Sequence, residues 1–373
     1  MTPTTKDAPT PPPSLDEAGD EREGERLDKA ALAEWLSAEG LLGGDAGPEV
    51  RQFRGGYSNL TYLIDVGDAS YVFRRAPFGN TIRSGHDMTR EVRVLRALAG
   101  EFSKAPKVIA SAEDIPALGG ACYLMERVPG VIIRRRLPRG LDPSSGTMRR
   151  LSESMIDTLA RLHGVDVSRE PLASLGRPEG YVARQVTGWT QRYDRAKTDD
   201  LEGMRRMTQF LEARIPTHKA SPPSLVHNDF KYDNLVLDPE DIGEVRAVLD
   251  WEMATVGDPL MDLGTTLGYW VEADDPAPIR ALAFGPTFQP GSLTRAELVA
   301  RYSAARGRPV PDPVFYYAFG IFKIAVIIQQ IYARFVRGTT EDARFAGLGA
   351  VVAVLASYGA SVCDRDTLAP PSS

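Results

Sequence analysis

The chain has 373 residues, of which 43% are hydrophobic and 25% charged, and a formal charge of −6. That length accommodates one large two-lobed domain or two ordinary ones, with a core of useful size. The charge is uneven: residues 1–26 carry Lys6, Arg22 and Arg26 against Asp7, Asp16, Glu17, Asp20, Glu21, Glu23 and Glu25. The remainder is nearly balanced, which gives nucleic-acid binding no electrostatic support. Cys122 and Cys363 lie far apart, in no metal-ligand or disulfide pattern, so a reducing, cytoplasmic setting is expected. The first residues lack the apolar core of a secretory signal.

In chain order, residues 1–27 are rich in Pro, Thr, Asp and Glu and are expected to form a disordered arm. Residues 28–128 read as an N-terminal lobe. It opens with an amphipathic helix over 27–38, followed by short strands at 50–53, 60–66 and 71–74. A helix over 86–99 has Val92, Leu95 and Leu98 at three-to-four spacing. Strands at 107–110 and 121–126 complete a small antiparallel sheet. A hinge is expected at 126–130, where Pro129-Gly130 ends the strand pattern. Residues 129–373 read as a larger helical lobe, with helices at 148–162, 204–214, 296–305, 314–335 and 342–359. The most apolar of these, 314–335, is interrupted by Lys323, Gln329 and Gln330; it is expected to be buried rather than to span a membrane. The fold class is therefore α+β: a sheet lobe with one helix, a hinge, and a mainly helical lobe, with a nucleotide expected in the cleft between them.

Chemistry is concentrated in Leu225-Val-His-Asn-Asp-Phe-Lys-Tyr-Asp-Asn234 and Val248-Leu-Asp-Trp-Glu252. A carboxylate, then an amide five residues on, then a second carboxylate ending an apolar run is the layout of a phosphoryl-transfer site. Asp229 is the candidate base, because a hydroxyl is a weak nucleophile until a neighbouring carboxylate takes its proton. Asn234 and Asp250 offer the hard oxygen donors that magnesium prefers. His227 is read as a brace for the loop. In the sheet lobe, Gly55 and Gly56 permit close backbone approach, and Ser58 and Asn59 can donate to phosphate. Strand alternation puts Val72 and Arg74 on one face, Val72 for the adenine and Arg74 for the phosphates, with Glu91 pairing Arg74. Whether Arg74 or Arg75 meets phosphate stays open.

These residues resemble the aminoglycoside phosphotransferase family, a branch of the protein-kinase-like fold, over residues 50–336. The resemblance is most specific in Asp250-Trp-Glu-Met-Ala-Thr-Val-Gly-Asp-Pro-Leu-Met-Asp-Leu-Gly264 and Phe322-Lys-Ile-Ala-Val-Ile-Ile-Gln-Gln-Ile-Tyr-Ala-Arg334. Both look most like the subgroup that includes kinase domains fused to acyl-CoA dehydrogenases. The resemblance implies ATP and Mg as cofactors, Asp229 as base, Asn234 and Asp250 as metal ligands, and adenine contacts from the hinge around Glu126 and Val128. The sequence departs from the family pattern twice, with Asn228 where the family usually has Gly and Arg74 where most kinases have Lys.

The expected activity is transfer of the ATP γ-phosphate to the hydroxyl of a small molecule. A polycationic aminoglycoside is disfavoured, because the folded body is close to neutral. Arg134, Arg135, Arg136, Arg139, Arg149 and Arg150 stand against the single Asp142 after the hinge. They read either as a solvated basic face or as a patch for an anionic substrate such as a hydroxyacyl-CoA. The alternative to an enzyme is a nucleotide-binding pseudokinase serving as a scaffold. A protein kinase fits less well, since the segment after Asp250 leaves little room for an activation loop. Monomer and homodimer both stay open.

Overall fold

Asp28 accepts hydrogen bonds from the Ala30 and Ala31 amides, both at 3.0 Å, and so begins helix α1 (Lys29–Ala38), because a side-chain acceptor satisfies amides that the first turn leaves unpaired. The computed structural model describes residues 16–43, 47–53, 59–77, 88–216, 221–340 and 342–371. Strands β1 (Glu49–Gln52), β2 (Leu60–Val66), β3 (Ala69–Arg75), β4 (Val108–Ile115) and β5 (Gly120–Glu126) form one antiparallel sheet in the order β1-β2-β3-β5-β4. Helix α2 (Met88–Leu98) follows β3. Alternation along the strands sends neighbours to opposite faces. Val72, Tyr123 and Met125 join the core that α2 supplies with Val92 and Leu95. Phe73, Cys122 and Leu124 turn the other way, under α1, where Phe73 meets Trp35 edge-on with ring centroids 5.9 Å apart.

Beyond Glu126 the chain is mainly helical. Helices α3 (Ser145–Leu162), α4 (Tyr181–Ala196), α5 (Glu202–Ala213), α6 (Pro259–Tyr269), α7 (Ala277–Ala281), α8 (Arg295–Arg306), α9 (Pro313–Val336) and α10 (Leu348–Arg365) make up this lobe. Two small antiparallel pairs lie between α5 and α6: β6 (Ser224–Val226) with β9 (Thr255–Gly257), and β7 (Leu235–Leu237) with β8 (Val245–Val248). The α+β, two-lobed class expected from the sequence is the one observed. Two glycines let α6 and α9 touch backbone to backbone. A Cβ on Gly320 would stand 2.0 Å from the Gly264 carbonyl oxygen, and one on Gly264 would stand 2.2 Å from that of Tyr316. Any larger residue would force the helices apart.

Two expectations are corrected. Residues 16–27 do not form a disordered arm: they lie as a strap along the sheet. Gly19 pairs with Gln52, the Glu21 carboxylate accepts the Leu27 amide at 2.8 Å, and the Glu25 carbonyl accepts the Tyr62 hydroxyl at 2.5 Å. The acidic side chains act as local acceptors, and Leu27 is buried; residues 1–15 lie outside the described set. Helix α4 was not expected, because its buried residues, Tyr181, Val186, Trp189, Tyr193 and Ala196, make a sparse stripe in a polar segment. Among the described residues, Pro313–Val336 and Ala343–Arg365 are both long and apolar enough to cross a membrane. In the first of these, 78% of the most apolar stretch is buried inside the fold, as a core helix would be.

Candidate active site

Strand β6 runs directly into His227-Asn228-Asp229, and the backbone of this loop is held from below by one carboxylate. Asp262 on α6 is fully buried. Its Oδ2 accepts the His227 amide at 2.6 Å and its Oδ1 accepts the Asn228 amide at 2.7 Å. Burial alone would raise the Asp262 pKa; the His163 imidazole 3.1 Å away and the backbone donors outweigh it, and the carboxyl stays below its ordinary range. Asn228 takes the left-handed conformation at φ 67°, which Asn tolerates better than most residues. Its side chain contributes as well: Nδ2 donates to the Met253 carbonyl at 3.0 Å, and Oδ1 accepts the Tyr181 hydroxyl at 3.3 Å. The amide side chain therefore takes on tethering that a glycine there cannot supply. His227 donates from Nε2 to the Leu249 carbonyl at 2.9 Å and accepts the Asp229 amide on Nδ1 at 3.3 Å. It braces the loop between two backbone groups.

Asp229 stands at the end of this scaffold with both carboxylate oxygens engaged. Oδ2 receives Lys231 Nζ at 2.7 Å and Asn234 Nδ2 at 3.0 Å. Oδ1 receives the Tyr269 hydroxyl at 2.7 Å. Burial pushes the Asp229 pKa up, but Lys231 and the Tyr269 hydrogen bond more than offset it, and the net shift is downward. The carboxylate is held ionised, as a base must be. Asn234 also donates Nδ2 to the Asp229 carbonyl at 2.8 Å, so its amide nitrogen faces Asp229 and its oxygen is the atom that can meet a metal.

Asp250 follows β8 in a left-handed conformation at φ 68°, with its side chain 30% exposed. Arg74 Nη2 reaches its Oδ1 at 3.2 Å, while Arg74 Nη1 bonds Glu91 Oε1. Burial works against the Arg74 charge, but Glu91 chiefly, with Asp250 and Glu252, holds the guanidinium charged. Glu91 Oε1 also accepts the Trp251 amide at 3.1 Å, so one buried carboxylate ties β3 to the segment after β8. Glu252 Oε2 accepts Asn59 Nδ2 at 2.7 Å. Burial first, and the Asp250 charge second, push the Glu252 pKa up to about 8.

Of the sequence-predicted residues, Asp229 and Asn234 share direct hydrogen bonds, and Arg74, Glu91 and Asp250 form one chain of contacts. Arg75 turns away from the cleft, donating to the Glu25 carbonyl and the Tyr62 hydroxyl, each at 3.0 Å. Val72 lies opposite Met125 in the sheet register. The Glu126 amide donates to the Lys107 carbonyl at 2.9 Å and its carboxylate accepts the Lys107 amide at 3.0 Å. Val128 is half-buried just past the sheet. Gly55, Gly56 and Ser58 lie outside the described residues. Lys231, Glu252, Asp262 and Tyr269 were not singled out from the sequence. Lys231 and Glu252 stand two positions from residues that were, but Tyr269 is 40 residues from Asp229 and has no local signal.

The basic segment after the hinge divides. Arg149 and Arg150 pair with Glu153 and Asp241 on the surface. Arg134 instead meets Asp16 of the strap at 3.0 Å and Arg135 donates to the Ala281 carbonyl at 2.5 Å. Beside Asp229 lies a small cleft lined by Lys231, Tyr232, Tyr269, Trp270, Phe284 and Thr287.

The donor set suits magnesium. Asp250 and Asn234 supply hard oxygens, and the crowding of Asp250, Glu91 and Asp229 that raises Glu252 is the field a cation relieves. Among the described residues no group of three or more His, Cys, Asp or Glu side chains is placed to hold a metal ion.

Residues 49–298 match the family model of the phosphotransferase enzyme family, APH. Acyl-CoA dehydrogenase family member 10 of Mus musculus is 36% identical over 84% of this chain, which spans 29% of that relative's length. A putative aminoglycoside phosphotransferase from Ralstonia eutropha is 32% identical, with TM-score 0.75, covering 91% of this chain and 99% of its own. An aminoglycoside phosphotransferase in ternary complex with AMP-PNP and hygromycin B shares the fold at TM-score 0.56 and 15% identity, over 90% of this chain and 97% of its own. With the family model covering most of both lobes and these relatives sharing its kinase-like architecture, the chain belongs to the phosphotransferase enzyme family.

Proposed function

We propose that the chain transfers the γ-phosphate of ATP to a hydroxyl group of a small molecule, with Asp229 as the base. The supporting observation is the hydrogen bonding of its carboxylate. Oδ2 already takes two donors, whereas among the described residues Oδ1 takes Tyr269 alone. A carboxylate oxygen accepts two hydrogen bonds comfortably, so the acceptor hydroxyl approaches Oδ1, on the Tyr269 side, and gives its proton there. Lys231 faces the same carboxylate and is placed to balance charge as the alkoxide forms. Asn234 and Asp250 would hold magnesium, which would neutralise phosphate charge on a bound nucleotide. Arg74, fixed by Glu91, serves the phosphates from the sheet side, and Val72 packs against the adenine. The AMP-PNP complex of the fold neighbour supports a nucleotide substrate.

The cleft beside Asp229 has aromatic walls and an ammonium, Lys231, at its rim. That chemistry suits an acceptor with an apolar body and an anionic group better than a polycation. A hydroxyacyl-CoA meets this description, with Arg134 and Arg135 as candidate cations for its anionic groups, and the similarity to acyl-CoA dehydrogenase family members supports it. One observation favours a second reading. Arg74 stands where most kinases have Lys and already bonds the metal carboxylate Asp250, as a nucleotide-binding scaffold would permit. ADP release from Mg-ATP, measured across aminoglycosides, hydroxyacyl-CoAs, sugars and choline-like alcohols with Asp229→Ala in parallel, separates the two. Acceptor-dependent release that vanishes in the variant is the expected result; release that survives it would rule out Asp229 as the base.

A further inference from the structure

The α9 segment that begins Phe322-Lys323 has no part in the phosphoryl-transfer reading, yet it puts an ammonium group in the core. Lys323 is 2% exposed, and among the described residues no salt bridge reaches it. Its Nζ donates to the Asn228 carbonyl at 2.6 Å and lies 3.5 Å from Thr265 Oγ1, with the Trp189 ring centroid 5.7 Å away. Burial lowers its pKa to about 8, against the pull of Asp229 and Asp262. A charge kept in such a place is unfavourable unless it holds something.

What it holds is the peptide unit in front of Asp229. A peptide is planar, so its carbonyl and the next amide point in opposite directions. With the Asn228 oxygen on Lys323, the Asp229 amide is turned to His227 Nδ1. The Asn228 amide is separately fixed by Asp262. The left-handed residue is thus clamped on both sides, and the direction in which Asp229 leaves the backbone is set. The close crossing of Gly264 and Gly320 is what lets α9 deliver Lys323 to this point.

We infer that Lys323 is a positioning residue: it holds the Asn228 carbonyl from inside the helical lobe and so aims Asp229 at the acceptor hydroxyl. The inference rests on the kinase reading, and its test reads the loop as well as the chemistry. The full chain would be compared with Lys323→Met, Lys323→Gln and Asp229→Ala. Amide exchange is followed over residues 225–234 and 60–75, and turnover is measured with Mg-ATP and the best acceptor of the hydroxyl panel. In Lys323→Met, exchange at 227–229 is expected to rise about tenfold while 60–75 is unchanged. kcat is expected to fall about a hundredfold with the KM for ATP unchanged. Lys323→Gln, which keeps a donor, should recover part of both. Unchanged exchange at 225–234, or a uniform rise across the chain with kcat and KM moving together, would overturn the inference. If Lys323→Met does not fold, Lys323→Gln is read by the same two criteria. If Asp229→Ala turns over like the parent, the kinase reading falls, while the exchange result still decides whether Lys323 holds the loop.

Discussion

The two halves of the site are built differently. On the helical side, Asp229 is reached through a shell of buried polar groups: Asp262, His227, Asn234 and Lys323 each fix a named atom of the loop. On the sheet side, Arg74 and Glu91 depend on partners from across the cleft, Asp250 and the Trp251 amide. Asn59 likewise donates to Glu252, and Arg90 to the Ala254 carbonyl at 2.9 Å. The proposed base is therefore set by the interior of one lobe, whereas Arg74, the residue proposed for the phosphates, has Glu91 on its own lobe and takes its second carboxylate, Asp250, from the other. Such a division suits an enzyme in which the base is pre-organised and the nucleotide completes the rest.

This contrast can be tested from either side. The largest expected effect is on the chemistry: Asp229→Ala should lower turnover about a thousandfold while leaving ATP affinity near that of the parent, read by ADP release and by titration with nucleotide. Arg74→Ala should instead act on both lobes. It leaves Glu91 buried without its cation, and unfolding in urea should show a loss of about 3 kcal/mol, together with weaker ATP binding. Should Arg74→Ala change only kcat, the sheet side would be no less pre-organised than the helical side. A smaller effect is expected from Tyr269→Phe, which removes one hydrogen bond to a charged group, about 1.5 kcal/mol. Its kcat should fall about tenfold, and unfolding in urea should show a loss no greater than about 1.5 kcal/mol. A separate effect, read in stability alone, is on pH dependence. Lys323 loses its proton in the fold near pH 8 rather than at its ordinary 10.5. The unfolded chain holds more protons between those values, so raising the pH through this window favours the folded state. The stability of the parent, measured against Lys323→Met, should therefore climb from pH 8 to 10.5, by at most about 1.4 kcal/mol per unit.

Legibility in the sequence followed locality. Asp229, Asn234 and Asp250 could be picked out because their spacing along the chain carries the pattern, and Arg74 facing Glu91 follows from strand alternation and the helix after it. Tyr269 and Lys323 could not be, since they meet the loop only through the crossing of α6 and α9. That crossing depends on two glycines that look unremarkable in a helical stretch. The strap over residues 16–27 was misread for a different reason. Its composition is that of disordered chain, but Glu21 and Glu25 find backbone and side-chain donors on the strap and the sheet. The basic segment looked like one patch, yet its arginines diverge toward Asp16, Ala281, Glu153 and Asp241, which a count of charges cannot show.

Strand β3 has a consequence for how the sheet reaches its correct register. Arg74 and Arg75 are chemically alike, so a slip of one residue would still present a guanidinium to Glu91, and the polar pair alone does not penalise the error. Phe73 does. A one-residue slip reverses every side chain, taking its ring out of the space beside Trp35 and Tyr62 and turning it toward the side of the sheet where Val72 now lies. Proofreading of the proposed nucleotide half of the site thus falls to an aromatic residue on the face of the sheet opposite Arg74.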